Sequence, residues 1–307
     1  MHVSSSQIDR SLRKRGGAIA IATSGTAHGE RADRPLLEAL ARAGCSPVSA
    51  VWDNPKIDWS AFAACVVRST WNWHLSPGTF VDWIQRVSES TLLFNAPTTL
   101  RWGLDKRYLL ALEAKGVAVV PTVLVGTNEL RSIPSVAAER GWDRYVVKPT
   151  IGASAYQARL IDASGDDSSA MDRGVSGAPA PALVQPFVAS VQTAGEVSIM
   201  VIDGRPTHAV QKVPAPGDFR VQAEFGGKER LVEIRPEHRR ATELCLAAML
   251  ELPTYARLDM MTAPSGDVWI SECEVVEPEL FLDLCPAASE LLADAIVRRL
   301  GPERLAP

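Results

Sequence analysis

Residues 255–276 constrain the fold more than any other stretch: two apolar runs, YARLDMM and VWISECEVV, flank the turn sequence Pro-Ser-Gly-Asp. Runs of this kind around such a turn pair as an antiparallel hairpin. A four-residue loop over 264–267 makes Ala263 face Val268, and counting outward puts Asp259 opposite Glu272 and Arg257 opposite Glu274. Opposed side chains stand ~5 Å apart at Cβ, and like charges there repel. Period-two alternation puts Glu274 on the face of Glu272, together with Val268, Ile270 and Val276. Carboxylates emerging from an apolar face need something to neutralise them, and hard oxygen ligands at this spacing suit Mg²⁺. An Arg257–Glu274 ion pair, or a solvated face with incidental acids, is the alternative.

Elsewhere strands alternate with helices. The sequence predicts strands over 17–24, 47–51 and 64–68, with a helix over 35–43 stopped by Gly44, which is the pattern of a parallel sheet. Helices are expected over 79–88, 105–115, 237–250 and 286–300, and strands over 117–125, 144–149 and 182–188. Residues 196–213 read as a hairpin with Asp203 and Gly204 at its tip. Residues 162–181, rich in Gly, Ser, Asp, Ala and Pro, read as a surface loop.

The 307 residues suffice for two or three subdomains. A net charge of −4 offers no basic field to nucleic acid. The five cysteines are odd in number and include no C-x-x-C pair, so neither a disulfide framework nor a zinc site is expected, and the cytoplasm fits best. There is no apolar run of the roughly 18 residues that a membrane span needs. The AIAIA run after the basic cluster at 10–15 is too short for a signal peptide, and residues 1–16 read as a mobile extension.

Two lysines sit where phosphate would be held. Lys148 ends the apolar strand YVVKP, and the TIGASA that follows, with Gly152 and Ser154, supplies small side chains and N–H groups. Lys106 opens a helix, where a cation opposes the dipole and so points to an anionic partner. Each alone reads equally as a surface lysine. At 185–188, Gln-Pro-Phe-Val, Pro186 keeps its carbonyl and Val188 offers an N–H, the acceptor and donor that an adenine edge needs. A strand merely interrupted by proline is the alternative.

Taken in order, LFNAPTTLRWGLDKRYLL, GVAVVPT, VVKP, QPFV, GEVSIMVIDG, GDFRVQAEFGG, and LDMM with ISECEVVEP resemble the ATP-grasp superfamily over about residues 92–280. The branch they resemble is that of glutathione synthetase and the RimK-like glutamate ligases. The resemblance implies an α/β (α+β) ATP-grasp fold of three subdomains enclosing ATP: a parallel-sheet domain over 17–100, a lid over 101–187 and a metal-bearing domain over 188–307. It casts Lys106 and Lys148 as phosphate ligands, Gln185, Pro186 and Val188 as the adenine hinge, and Glu196 as the ribose acid. Asp259, Glu272 and Glu274 become Mg²⁺ ligands, and Arg220 lies beside the transferred phosphoryl group. Gly226 and Gly227 bring N–H groups to the acyl centre, and Lys212 lies near the substrate. Two positions depart from the pattern: Glu274 stands where Asn is common, and the loop after Lys148 has only Gly152, a sign of a stiffer lid.

AVWDNPKIDWSAF, VVRSTWNWH, TLRWGLDKRYL, FRVQAEFGG and ECEVVEPELFLDLCP further resemble the subset containing the D-cycloserine-forming cyclo-ligase, which closes O-ureido-D-serine into a ring with consumption of ATP. This implies a small amino-acid-like carboxylate as substrate and allows a homodimer. Arg68, just after the third strand, is a candidate for the substrate carboxylate, with a structural salt bridge as its alternative. Glu277 is a candidate for a substrate amine, while the tryptophans of STWNWH read as packing between subdomains. Rival readings are a RimK-like ligase acting on a peptide or protein terminus and a non-catalytic nucleotide-binding module.

Overall fold

A computed structural model describes residues 17–162, 180–222 and 225–301. The chain opens with β1 (Ala18–Thr23), whose six residues are all buried. A strand apolar on both faces belongs inside a parallel sheet. Helix α1 (Ala27–Arg42) follows, then β2 (Ser46–Val51), β3 (Ala64–Ser69), α2 (Pro77–Ser88) and β4 (Leu92–Phe94), giving a sheet in the order β2-β1-β3-β4. The helix begins well before the expected residue 35, because Thr26 caps it by accepting from the Gly29 N–H and Pro35 is accommodated inside.

Where one helix was expected over 105–115, the structure has two, α3 (Pro97–Gly103) and α4 (Tyr108–Glu113). The turn between them carries Lys106, whose N–H donates to Thr150 O at 2.7 Å. The second sheet is built from β5 (Val123–Val125), β6 (Arg144–Pro149), β7 (Arg159–Asp162) and β8 (Ala182–Pro186), with α5 (Ile133–Glu139) against it, in the order β5-β8-β6-β7. Only the end of the expected strand over 117–125 joins this sheet. Pro121 breaks the run, and Val119 bridges instead to Ile270. The expected loop over 162–181 falls almost wholly outside the described residues, as does the extension over 1–16.

The third sheet contains β9 (Glu196–Ile202), β10 (Arg205–Val213), β11 (Lys228–Val232), β12 (Tyr255–Thr262) and β13 (Val268–Glu274), in the order β11-β10-β9-β12-β13. Asp203 and Gly204 form the β9–β10 tip with φ of 51° and 73°, as a two-residue primed turn demands. Helix α6 (Pro236–Ala248) packs on this sheet, while α7 (Pro286–Leu300) returns to the first, burying Leu292, Ile296 and Leu300 with Ile19, Leu36 and Leu40. Asn95 bolts the first sheet to the third. Its amide donates to Tyr255 O and Val275 O, both at 2.8 Å, and accepts from the Thr254 N–H at 2.6 Å.

The β12–β13 hairpin corrects one expectation and meets another. Thr262 pairs with Val268 and Met260 with Ile270, so the loop is one residue longer than expected. A bulge at Ser271 then restores Asp259 opposite Glu272 and Arg257 opposite Glu274. The bulge also resets the alternation. Ile270 therefore packs with Cys273 and Val275 on the far side, and Val276 packs against the first sheet. The acids do not rise from an apolar face: they share theirs with Arg257.

Candidate active site

A cavity of about 710 Å³ lies between the three sheets, lined by Trp71 and Trp73 from the segment after β3, by Lys148 and Gln185 from the second sheet, and by Arg257, Asp259 and Glu272 from the third. The sequence-predicted residues Lys106, Gly152, Ser154, Pro186, Val188, Glu196, Lys212, Arg220, Glu274 and Glu277 line it as well. Arg68, Gly226 and Gly227 do not.

Lys106 and Lys148 meet at one carboxylate. Lys106 Nζ lies 2.7 Å from Glu272 Oε2 and Lys148 Nζ 2.9 Å from Glu272 Oε1. Burial disfavours the Glu272 charge, but the two ammonium groups overcome it and hold the carboxyl well below the usual range. Burial likewise opposes the Lys106 charge, and Glu272 wins, raising its pKa. Within this trio two cations share one anion, and either ammonium group can also meet a phosphate oxygen. Above them the loop after β6 turns tightly: Ser154 and Ala155 have φ of 48° and 55°, and side chains this small leave the backbone close to the cavity.

At the hinge, Gln185 Nε2 donates to Thr122 Oγ1 at 2.9 Å. Pro186 has no N–H, the Val188 N–H has no backbone acceptor among the described residues, and both residues line the cavity.

On the floor, Arg257 grips Asp259, with Nε at 3.0 Å from Oδ1 and Nη2 at 2.9 Å from Oδ2, and also pairs with Glu274. Lys212 Nζ reaches Asp259 Oδ1 at 3.2 Å and Glu196 Oε1 at 2.6 Å, and Ser198 donates to Asp259. Burial pushes the Asp259 carboxyl up, but Arg257 and Lys212 bring it down to about 2. Burial also lifts Glu274, to about 7, against the pull of Arg257 and helped by Asp259 and Glu272. Arg257 was missed as a site residue. Its signal was its place two residues before Asp259, hence on the same strand face.

Arg220 pairs with Asp218 at 2.8 Å and lies 3.8 Å from the Phe225 ring centroid, at the cavity edge. Gly227 does not offer its N–H to the cavity, since it donates to Gln222 O at 3.2 Å. Glycine is required there for another reason: a Cβ would meet Val221 O at 2.1 Å. Arg68 is also corrected. It is 1% exposed, donates to Pro278 O at 2.9 Å and faces Asp33 at 3.5 Å, so it takes the structural alternative named above.

The remaining end of the cavity is walled by Trp71, Trp73 and His28, and Glu277 projects there. Burial first, and Glu274 second, raise its carboxyl to about 8. The Trp73 indole N–H donates to it, so this tryptophan does more than pack.

Residues 110–253 match the family described as the prokaryotic glutathione synthetase ATP-grasp domain. The chain belongs to the ATP-grasp ligases. Its first domain narrows the kinship: residues 19–95 match the N-terminal domain of D-cycloserine synthetase DcsG. Over 289 residues the chain is 32% identical to the cycloserine biosynthesis protein DcsG of Streptomyces lavendulae, covering 87% of this chain and 93% of that one. The crystal structure of D-cycloserine synthetase DcsG superposes with a TM-score of 0.83 at 29% identity, over 93% of this chain and 100% of that one. A D-alanine–D-alanine ligase from Bacillus anthracis shares the fold, with a TM-score of 0.64 at 15% identity over 93% and 98% of the two chains. No helix among the described residues is long and apolar enough to cross a membrane.

Proposed function

We propose that this ATP-grasp ligase activates the carboxylate of a small amino-acid-like substrate as an acyl phosphate, which a nitrogen of the same molecule then attacks, in a ring closure of the D-cycloserine-forming type. The observation that carries the reading is the convergence of Lys106 and Lys148 on Glu272 inside one cavity. A carboxylate is a poor electrophile because its leaving group would be oxide, and phosphorylation supplies a better one. The protein's task is then alignment and charge neutralisation. Lys106 and Lys148 offset phosphate charge, the 185–188 edge holds the adenine, and Glu196 accepts from the ribose. Arg220, at the cavity edge, neutralises charge on the phosphoryl group in flight.

The donors also fit a hard cation. Glu272 and Asp259 stand directly opposite each other and offer only carboxylate oxygens. Among the described residues no His, Cys, Asp and Glu gather into an all-protein metal cage, and Mg²⁺ needs none. It is ordinarily bound by one or two carboxylates together with substrate phosphates, which it polarises. Glu272 and Asp259 are its proposed ligands, with Glu274 turned onto Arg257.

A cavity of about 710 Å³ between three sheets favours a small substrate over a peptide terminus. The family kinship to DcsG points the same way. Five free cysteines, four of them buried, suit the cytoplasm. The test is phosphate release from MgATP with O-ureido-serine of both hands, a panel of amino acids and short peptides. Release with the D-enantiomer and a cyclic product is expected. Turnover only with peptides would replace this reading with the peptide-ligase one.

A further inference from the structure

Residues 277–280 form neither helix nor strand, yet each of their four carbonyls accepts from a side chain. Trp71 Nε1 donates to Glu277 O at 3.0 Å, Arg68 Nη1 to Pro278 O at 2.9 Å, Arg257 Nη1 to Glu279 O at 3.4 Å, and His208 Nε2 to Leu280 O at 2.9 Å. These donors come from β3 and the loop after it, from β12 and from β10. An irregular segment is normally satisfied by water and free to move. One gripped at every carbonyl by a separate element is held in a single conformation.

What the bracing presents to the cavity is Glu277. Trp73 donates to its carboxyl, and Trp71 and His28 stand beside it as walls. Among the described residues, no lysine or arginine lies within ion-pairing distance of Glu277, and Lys106 and Arg257 act on it only from further off. A half-buried carboxyl fixed this firmly without a cation is costly as a structural device. It is complementary to an ammonium group, which would supply the missing charge while the aromatic faces receive its N–H and C–H surface. We propose that Glu277, braced through Arg68, Trp71 and Trp73, is the specificity-determining residue of this ligase, and that it binds the free ammonium group of the amino-acid-like substrate whose carboxylate is activated beside Lys106 and Lys148. The inference rests on the ligase reading above. Arg68 and Trp73 are positioning residues, acting through Pro278 O and the Glu277 carboxyl.

The test uses the full chain with MgATP, O-ureido-D-serine and its N-acetyl derivative, a panel of free and N-acetylated amino acids, and MgADP binding by calorimetry. The wild-type chain is expected to release phosphate with free amines and not with N-acetyl compounds. Glu277→Gln keeps an acceptor for Trp73. It is expected to raise KM for the amine substrate at least thirtyfold, with the MgADP Kd changed less than twofold. Trp73→Phe and Arg68→Lys are expected to raise that KM about fivefold alone and to add nothing in the Glu277→Gln background, which a merely structural role would not produce. Equal use of N-acetyl substrates, or an unchanged KM in Glu277→Gln, overturns the amine site while leaving the ligase reading standing. Failure of the wild-type chain to bind MgADP overturns the ligase reading and this proposal with it.

Discussion

At the end of the cavity proposed to hold phosphate the carboxylates meet cations: Glu272 takes Lys106 and Lys148, and Asp259 takes Arg257 and Lys212. At the other end Glu277 meets an indole N–H, and burial beside Glu274 lifts its carboxyl to about 8. The contrast fits the roles proposed above, phosphate at the first end and a substrate ammonium at the second. Cations that already rest on carboxylates can exchange them for phosphate oxygens with little change in local charge. An acid without a cation gains most from a partner that brings one. The carboxylate charges of Glu272 and Asp259 are held by their cations, while Glu277, with its carboxyl raised to about 8, keeps a proton until a cationic group comes beside it.

The comparison is broken most directly at the phosphate end. Arg220→Ala is expected to abolish turnover while MgADP affinity stays within threefold of wild type, because Arg220 sits at the cavity edge and not among the buried pairs. Activity within threefold of wild type removes the role. Glu272→Gln strands Lys106 and Lys148 side by side, and because the pair is only partly buried the loss is less than the roughly 3–5 kcal/mol of a fully buried one. Turnover should fall roughly a thousandfold. The melting temperature should also fall, and recover when nucleotide is added, since phosphate then replaces the lost anion. A melt as high as wild type without nucleotide would contradict the pairing. Arg257→Lys keeps the charge but loses the fork on Asp259 and the reach to Glu274, for an expected loss of about a hundredfold in kcat/KM. Asp259→Asn should raise the Mg²⁺ concentration needed for half-maximal activity, and an unchanged titration would take Asp259 out of the proposed metal site.

Much of this was legible in the sequence because it depended on short-range pattern. The Asp203–Gly204 tip and the buried β1 follow from period and turn chemistry. The Asp259–Glu272 pairing came out right although the loop was one residue longer than read, since the Ser271 bulge compensated. That bulge was illegible, and it overturned the assignment of faces. Arg68 shows the same limit. A strand-end arginine reads as a ligand-binding group until the fold lays Pro278 O and Asp33 against it. Gly227 was recognised as a glycine position but for the wrong reason, because only the folded turn shows Val221 O where a Cβ would go. Trp73 reads as packing in the sequence, since nothing local links an indole to an acid more than two hundred residues away. Pairings that cross sheets are fixed by the topology, which a single sequence does not display.

The smallest effect concerns stability and sharpens the contrast from the other end. The Glu277 carboxyl has an ordinary value of 4.5 and stands at about 8 in the fold, so between those values the folded chain holds a proton that the unfolded chain has released. Stability must then fall as pH rises from 4.5 towards 8. Glu274, raised to about 7 by burial, tilts the wild-type curve the same way, while Lys106 and Arg257 pull Glu277 in the opposite direction. Comparing Glu277→Gln with wild type cancels most of the Glu274 contribution, because Glu274 is present in both, and isolates that of Glu277, because Gln cannot titrate. The two proteins should melt together near pH 5, and the variant should melt higher near pH 8, by on the order of 2–4 °C. The same substitution that weakens substrate binding would thus stabilise the fold, as expected where a carboxyl is kept buried for a ligand's sake. A melting difference that does not grow with pH would show that Glu277 is ionised in the folded chain and already compensated, leaving the two ends of the cavity electrostatically alike.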